Sequence, residues 1–258
     1  MEAPVTPDHW DRAARHYEAT AHPFTTLFAE TALTKVNLGP GDRVLDVAAG
    51  TGALSIAAAR TGAQVLATDF SPAMVARIAA AGLANIDTQV MDGQALTLPD
   101  ASFDAVFSIF GVIMFPDWQK GLAEMARVTR AGGSGVVAAW QDQGAATFLL
   151  LHQIRRALFP ERGEAALPEA MTVLSRPEGL AAAMVAAGFH DPDVHHVTHD
   201  YRLDIAALDD PDLLFGLSPD WISLAETEKA AVVGEIRRRA NGSDILPVPS
   251  TALIAGIS

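Results

Sequence analysis

The chain has 258 residues, half of them hydrophobic, and a formal charge of −13. That length can bury a sizeable core, and one domain with insertions is the expectation. Cysteine is absent, which excludes disulfides, thiolate nucleophiles and cysteine-ligated metals. So acidic a chain is poorly suited to nucleic acid, whose affinity rests largely on Lys and Arg neutralising phosphates. No run reaches the roughly 18 apolar residues of a membrane span, and the start Met1-Glu2-Ala3-Pro4 lacks a secretory pattern, so a cytoplasmic protein is expected.

Thr6-Pro7 opens a helix, with Thr as cap and Pro at the first helical position, and Trp10, Ala14 and Tyr17 continue it at helical spacing to about Thr20. His22-Pro23 reads as its stop, and a second helix follows from about Phe24 to Val36. After the turn Gly39-Pro40-Gly41, short apolar runs alternate with helical segments, the pattern of a parallel sheet covered on both faces. Strands are expected at Arg43–Val47, Gln64–Thr68, Ile86–Met91, Ala105–Phe110 and Ser134–Trp140. The helices between them are Ala53–Thr61, Pro72–Ala80 capped by Ser71, and Trp118–Val128 ahead of Gly132-Gly133, so the array is doubly wound.

Beyond Trp140 the alternation loosens. Residues 141–175 read as an inserted cap with a helix around Phe148–Phe159. Order returns with a helix at Pro177–Ala187, stopped by Gly188-Phe189, and a strand near Val194–Leu203. A second helical insertion covers 204–246, and Pro249–Ile257 is the last strand. The expected organisation is therefore a single domain over 1–258, with N-terminal helices at 1–40, a ligand-binding core at 41–140 and caps at 141–175 and 204–246.

The strongest chemical signal is the strand Val44-Leu45-Asp46-Val47 running into Ala48-Ala49-Gly50-Thr51-Gly52 and then a helix. Gly50 and Gly52 would let a ligand approach the backbone, with the free N–H groups of the helix start pointing at it. Phosphate is the first thought, but Ser55 stands where a dinucleotide fingerprint has its third glycine, and no P-loop Lys is present. Asp46, a carboxylate at the strand end, suits an amino-acid ammonium better than a pyrophosphate. Asp69 follows Asp46 by 23 residues, and Asp92 follows Asp69 by another 23. An acid at the neighbouring strand tip can accept both hydroxyls of a ribose, and Asp92 falls where an adenine amino group could donate to it. Three acids in register thus describe a pocket for a nucleoside that also carries positive charge.

In this order and spacing the residues Asp46 to Gly52, Asp69, Asp92-Gly93, Phe103–Ser108 and Arg130-Ala131-Gly132-Gly133 resemble the successive motifs of class I S-adenosylmethionine-dependent methyltransferases. The match covers about residues 10–140 and is similar to the ubiquinone/menaquinone-methyltransferase-like group, which acts on small molecules. It departs at Ala48, where the usual loop has its first glycine, and at Ala131, where a Pro is usual. The resemblance implies an α/β fold with a doubly wound, seven-stranded Rossmann-like sheet, mostly parallel, carrying helical cap insertions. It implies S-adenosyl-L-methionine as cofactor, with Asp69 on the ribose, Asp92 and Gly93 on the adenine, Phe70 and Met74 flanking them, and Gly50 with Ser108 beside the methionine part. The implied activity is methyl transfer to a small-molecule acceptor. A non-catalytic S-adenosylmethionine or S-adenosylhomocysteine binder, and a nucleotide-dependent oxidoreductase, are the rival readings.

The acceptor is expected to meet the loop Phe110–Trp118, whose Phe115 and Trp118 suit an apolar or aromatic molecule. Tyr17 from the first helix, and Phe148 and Trp221 from the caps, are further acceptor-side candidates. His195, His196 and His199 alternate along one strand and form no metal site, so no metal is expected. His152 is the one candidate general base, and proximity is expected to carry most of the catalysis.

Overall fold

A computed structural model describes residues 6–141, 147–162, 168–216 and 218–256. Two helices, α1 (Pro7–Thr20) and α2 (His22–Leu33), precede the sheet. His22-Pro23 begins α2 and does not merely stop α1, because Pro is tolerated in a first helical turn, where its missing N–H would have had no partner. The parallel core follows as β1 (Arg43–Val47), α3 (Ala53–Ala59), β2 (Gln64–Asp69), α4 (Pro72–Ala80), β3 (Ile86–Val90), β4 (Phe103–Ile109), α5 (Trp118–Val128) and β5 (Thr129–Trp140). The helix starts are locally encoded: Ser71 accepts from Met74 N at 3.2 Å, and Asp117 from Lys120 N at 3.0 Å.

Next come α6 (Thr147–Leu158), α7 (Glu169–Val173), α8 (Pro177–Ala187) and β6 (Asp193–Asp204), followed by α9 (Pro211–Phe215), α10 (Pro219–Ile222), α11 (Glu226–Ala240) and β7 (Ile245–Gly256). The seven strands lie in the order β3-β2-β1-β4-β5-β7-β6. Pairing is parallel from β3 through β5, and β7 runs antiparallel to β5. The chain moves outward from β1 to β2 and β3, then restarts on its other side with β4. That reversal leaves a crevice beyond the carboxyl ends of β1 and β4, the switch point at which such sheets bind ligands.

Two compact units emerge where one domain with insertions is expected. The first comprises Met1–Asp142, Pro168–Val197 and Ala252–Ser258, and the second Gln143–Leu167 and Thr198–Thr251. The two expected insertions, with shifted bounds, make up the second unit, which has a core of its own built on Leu151, Ile154, Trp221, Val232 and Ile236. In the first unit, Phe110 and Trp140 stack with ring centroids 3.7 Å apart, and Phe28 meets both edge-on. No helix among the described residues is long and apolar enough to cross a membrane.

Candidate active site

A small cleft opens at the switch point. Asp46 and Ile109 line it from the ends of β1 and β4, Gly50 and Thr51 from the turn, and Tyr17 and Thr25 from the N-terminal helices. Gly50 has φ +56°, and a side chain there would touch only Tyr17 at 3.7 Å, so this glycine presents bare backbone to the cleft. Gly52 serves the fold instead. At φ +87° its missing side chain makes room for Ile78 of α4, whose Cγ1 lies 3.0 Å from where a Cβ would stand. Any ligand contact at Gly52 would thus be through its backbone alone.

Asp46 is fully buried, and one of its oxygens accepts from Ser55 N at 3.1 Å and Ser55 Oγ at 2.6 Å. Ser55, the residue that breaks the dinucleotide fingerprint, is thus the partner that holds this carboxylate. Burial raises the Asp46 carboxyl to about 7, with the two Ser55 bonds opposing and Asp69 adding to the rise. Asp69, also buried, accepts from Ser71 N and Gly50 N, each at 2.9 Å, and burial pushes it upward too. Its second bond ties the tip of β2 to the glycine turn.

Tyr17 is half-buried and lines the cleft. Desolvation raises its phenol to about 12, a Thr25 hydrogen bond opposes this, and the charges of Asp69 and Asp46 reinforce it. A desolvated carboxylate and a phenol in one cleft, with Asp69 bound to the glycine turn that lines it, call for a positive ligand. A sulfonium nucleoside bearing an ammonium group meets that demand.

The other expected cofactor residues divide. Asp92 is exposed beyond β3, its Oδ1 accepting from Gln94 N at 2.9 Å and Gln94 Nε2 at 3.0 Å. Phe70 is half-buried at the end of β2. Met74 is buried on α4 with Ile78. Gly93 makes room for Phe115, whose ring lies 2.5 Å from where a Cβ would stand. Ser108 is fully buried, donating to Val47 O at 3.0 Å and accepting from Val112 N at 3.1 Å, so its hydroxyl ties β4 to β1 and Ile109 lines the cleft in its place.

Ala48 stands where the family's usual turn has glycine, and it adopts φ +56°. Gly111 accommodates it, because a Cβ on Gly111 would come within 2.5 Å of the Ala48 methyl.

Among acceptor-side candidates, Tyr17 lines the cleft with Asp46 and Gly50. Phe115 packs against Gly93 and Gly121 and seats α5, a packing role. Trp118 is buried at the start of α5 with no partner for its Nε1–H among the described residues. Trp221 is a core residue of the second unit whose Nε1 donates to Asp212 at 2.6 Å, so packing takes the place of the acceptor contact expected for it. The Phe148 side chain lies outside the described residues. His152, also in the second unit, has Nδ1 2.9 Å from Asp220 Oδ2. Among the described residues no group of His, Cys, Asp and Glu could hold a metal.

Two participants escape sequence reasoning. His22 Nδ1 lies 2.7 Å from Thr51 Oγ1, and Asp11 accepts from Ser71 Oγ at 2.5 Å and Ala73 N at 3.0 Å, fastening α1 to the start of α4. Only the acid one turn into α1 hinted at the second contact, and nothing local marked the first.

A methyltransferase-domain family matches residues 44–133, which hold the glycine turn and all three strand-tip acids. An uncharacterized Mycobacterium tuberculosis protein is 45% identical over 111 residues, 42% of this chain and 40% of its own, so the chain spans less than half of that relative's length. A demethylmenaquinone methyltransferase of Mycobacterium sp. (strain KMS) is 36% identical over 197 residues, 70% of this chain and 83% of its own. In structure, a protein from an antibiotic biosynthesis pathway of Anabaena variabilis superposes with TM-score 0.65 at 15% identity, over 90% of this chain and 96% of that one, a likeness of fold alone. With its cleft, its ordered motifs and the Mycobacterium relative agreeing, the chain belongs to the class I S-adenosylmethionine-dependent methyltransferases, in the quinone-methyltransferase group.

Proposed function

We propose that the chain transfers a methyl group to a small-molecule acceptor by in-line displacement, and that the acceptor is apolar or aromatic. The observation that carries this reading is the cleft at the switch point, where desolvated Asp46 and Asp69 flank a bare glycine turn. S-adenosylmethionine, when bound, supplies a methyl group activated by its positive sulfur. Asp69 has lone pairs left for ribose hydroxyls after serving Gly50 and Ser71, and the exposed Asp92 is open to an adenine amino group. Asp46 and the Tyr17 hydroxyl supply negative charge and lone pairs for the ammonium. The residues then hold the acceptor in line, and orientation alone can contribute roughly 7–11 kcal/mol.

The acidic surface supports a small acceptor over a polyanion. Trp118 offers a buried N–H to a polar atom of an otherwise apolar acceptor. The Mycobacterium relative is named for demethylmenaquinone, which accords with such an acceptor.

The test is turnover of isotopically labelled S-adenosylmethionine with a panel of hydroquinones, phenols and aromatic amines, alongside calorimetric binding of S-adenosylhomocysteine. Asp69→Ala is expected to weaken that binding by about 10- to 150-fold. Tight binding without turnover on any acceptor would favour a non-catalytic binder, and unchanged affinity in the variant would remove Asp69 from the site.

A further inference from the structure

The cleft residues include Asp46 and the hydroxyls of Tyr17, Thr25 and Thr51, but, among the described residues, no Lys or Arg. That set answers a positive ligand. The amino-acid end of S-adenosylmethionine also carries a carboxylate, and the cleft lining offers it no cation. A basic group does reach the turn that lines the cleft: His22, at the start of α2, has Nδ1 2.7 Å from the hydroxyl of Thr51.

We propose that His22, acting through Thr51, recognises the carboxylate at the amino-acid end of the cofactor. This rests on the S-adenosylmethionine reading of the cleft. An imidazolium can only donate, so its Nδ1–H is given to Thr51 Oγ1 and the hydroxyl proton is free to point at a carboxylate. A neutral ring protonated at Nε2 does the reverse: it takes the hydroxyl proton and leaves only lone pairs facing the ligand. Protonation and tautomer of His22 together therefore decide what Thr51 presents to the cleft: a ring carrying its proton on Nδ1, charged or neutral, leaves Thr51 a donor, and a ring protonated only at Nε2 leaves it an acceptor.

The surroundings set the balance. Burial lowers the pKa of His22, and Glu18 of α1 opposes that, while Glu18 also pairs with Arg77 of α4 at 2.6 Å. At the glycine turn, Asp69 bonds Gly50 N, and Asp46 lines the same cleft. Without a carboxylate ligand the ring rests neutral near pH 7, and an arriving carboxylate tips it to the charged form. His22 is thus a positioning residue that acts through Thr51.

The test uses the full chain and two probes. S-adenosylhomocysteine carries the amino-acid end, whereas 5′-methylthioadenosine shares its nucleoside and thioether and lacks it. Histidine-selective ¹⁵N NMR at about pH 7.5 should show the His22 signal move to the imidazolium pattern with S-adenosylhomocysteine and stay neutral with 5′-methylthioadenosine. His22→Gln keeps a hydrogen bond to Thr51 but cannot take a charge. It should lose about 10-fold in affinity for S-adenosylhomocysteine and less than about 2-fold for 5′-methylthioadenosine.

A ring that stays neutral with S-adenosylhomocysteine, or a variant that loses equally for both probes, overturns the proposal. Should the variant fail to fold, the wild-type NMR titration decides alone. Failure of the wild type to bind either probe would overturn the cofactor reading of the cleft, and this proposal with it.

Discussion

At the scale of single residues, the cleft holds charge at a cost to folding. Asp46 ionises near 7 in the folded chain because burial disfavours its charge. In the unfolded chain it ionises near its ordinary 3.8. Below the lower value both states are protonated and the penalty is absent. Between the two, the unfolded state gives up its proton while the folded state keeps it, so stability falls as pH rises and the full cost is reached above about 7. A shift of that size corresponds to a cost on the order of 4 kcal/mol. Asp46→Asn keeps an acceptor for Ser55 and removes the charge. Urea titrations should therefore find the variant more stable than wild type at pH 8 by a few kcal/mol, with most of the difference gone at pH 5. Parallel pH dependence of the two proteins would show that Asp46 is not desolvated in solution. S-adenosylhomocysteine binding should weaken in the variant at both pH values, which would mark this instability as a consequence of function.

At the scale of elements, the exits of β1 and β4 are fitted to each other. Ala48, just past β1, sits at φ +56°, and Phe110, just past β4, at φ +61°, a backbone region that costs non-glycine residues roughly 1–2 kcal/mol. Between them there is room for one methyl. A Cβ on Gly111 would lie 2.5 Å from that of Ala48 and 2.8 Å from Ser108 Oγ. Gly111→Ala alone should thus cost about 1–3 kcal/mol by overpacking. Ala48→Gly relieves the strain at that position and the tightest of these contacts, leaving the one to Ser108, so the double variant should be more stable than the two single effects added together. The coupling should be about 1 kcal/mol in a urea double-mutant cycle, and strict additivity would mean that the two strand exits do not meet. The same element-level view explains α1, which Asp11 anchors on Ser71 and Ala73. The partly exposed Glu18–Arg77 pair adds little to that anchor.

Across the whole molecule, cofactor and acceptor functions are expected to separate. The first unit contains the glycine turn, the three acids and the helices carrying Tyr17 and His22, whereas His152 and Trp221 belong to the second. His152 holds Asp220 through Nδ1, an arrangement that leaves Nε2 as its other hydrogen-bonding atom. Where proximity carries the reaction, His152→Ala should retain turnover within about 100-fold and bind S-adenosylhomocysteine as wild type does. A loss beyond about 10³-fold in single-turnover rate at saturating ligands would make His152 the base that takes the acceptor's proton.

Much of the architecture was legible in local chemistry. The bounds of α1, α4, α5 and α8 and the place of every strand in chain order follow from Pro at helix starts, Gly at turns and the alternation of apolar runs. The acids Asp46, Asp69 and Asp92 were legible too, since their spacing is one strand-helix-strand step repeated. Which way each residue faces was a different matter. Gly50 and Gly52 look alike in sequence, yet one opens to the cleft and the other packs on Ile78 of α4. Met74, Ser108 and Trp221 carry side chains that suit a ligand equally well, and packing against distant elements claimed all three. His22 read only as a punctuation mark until α2 brought it to Thr51. Chain-local signals determine what forms, because propensity and capping act within a turn or two. Contacts between residues far apart in sequence decide which atoms remain for a ligand, and those exist only once the sheet and its helices have packed.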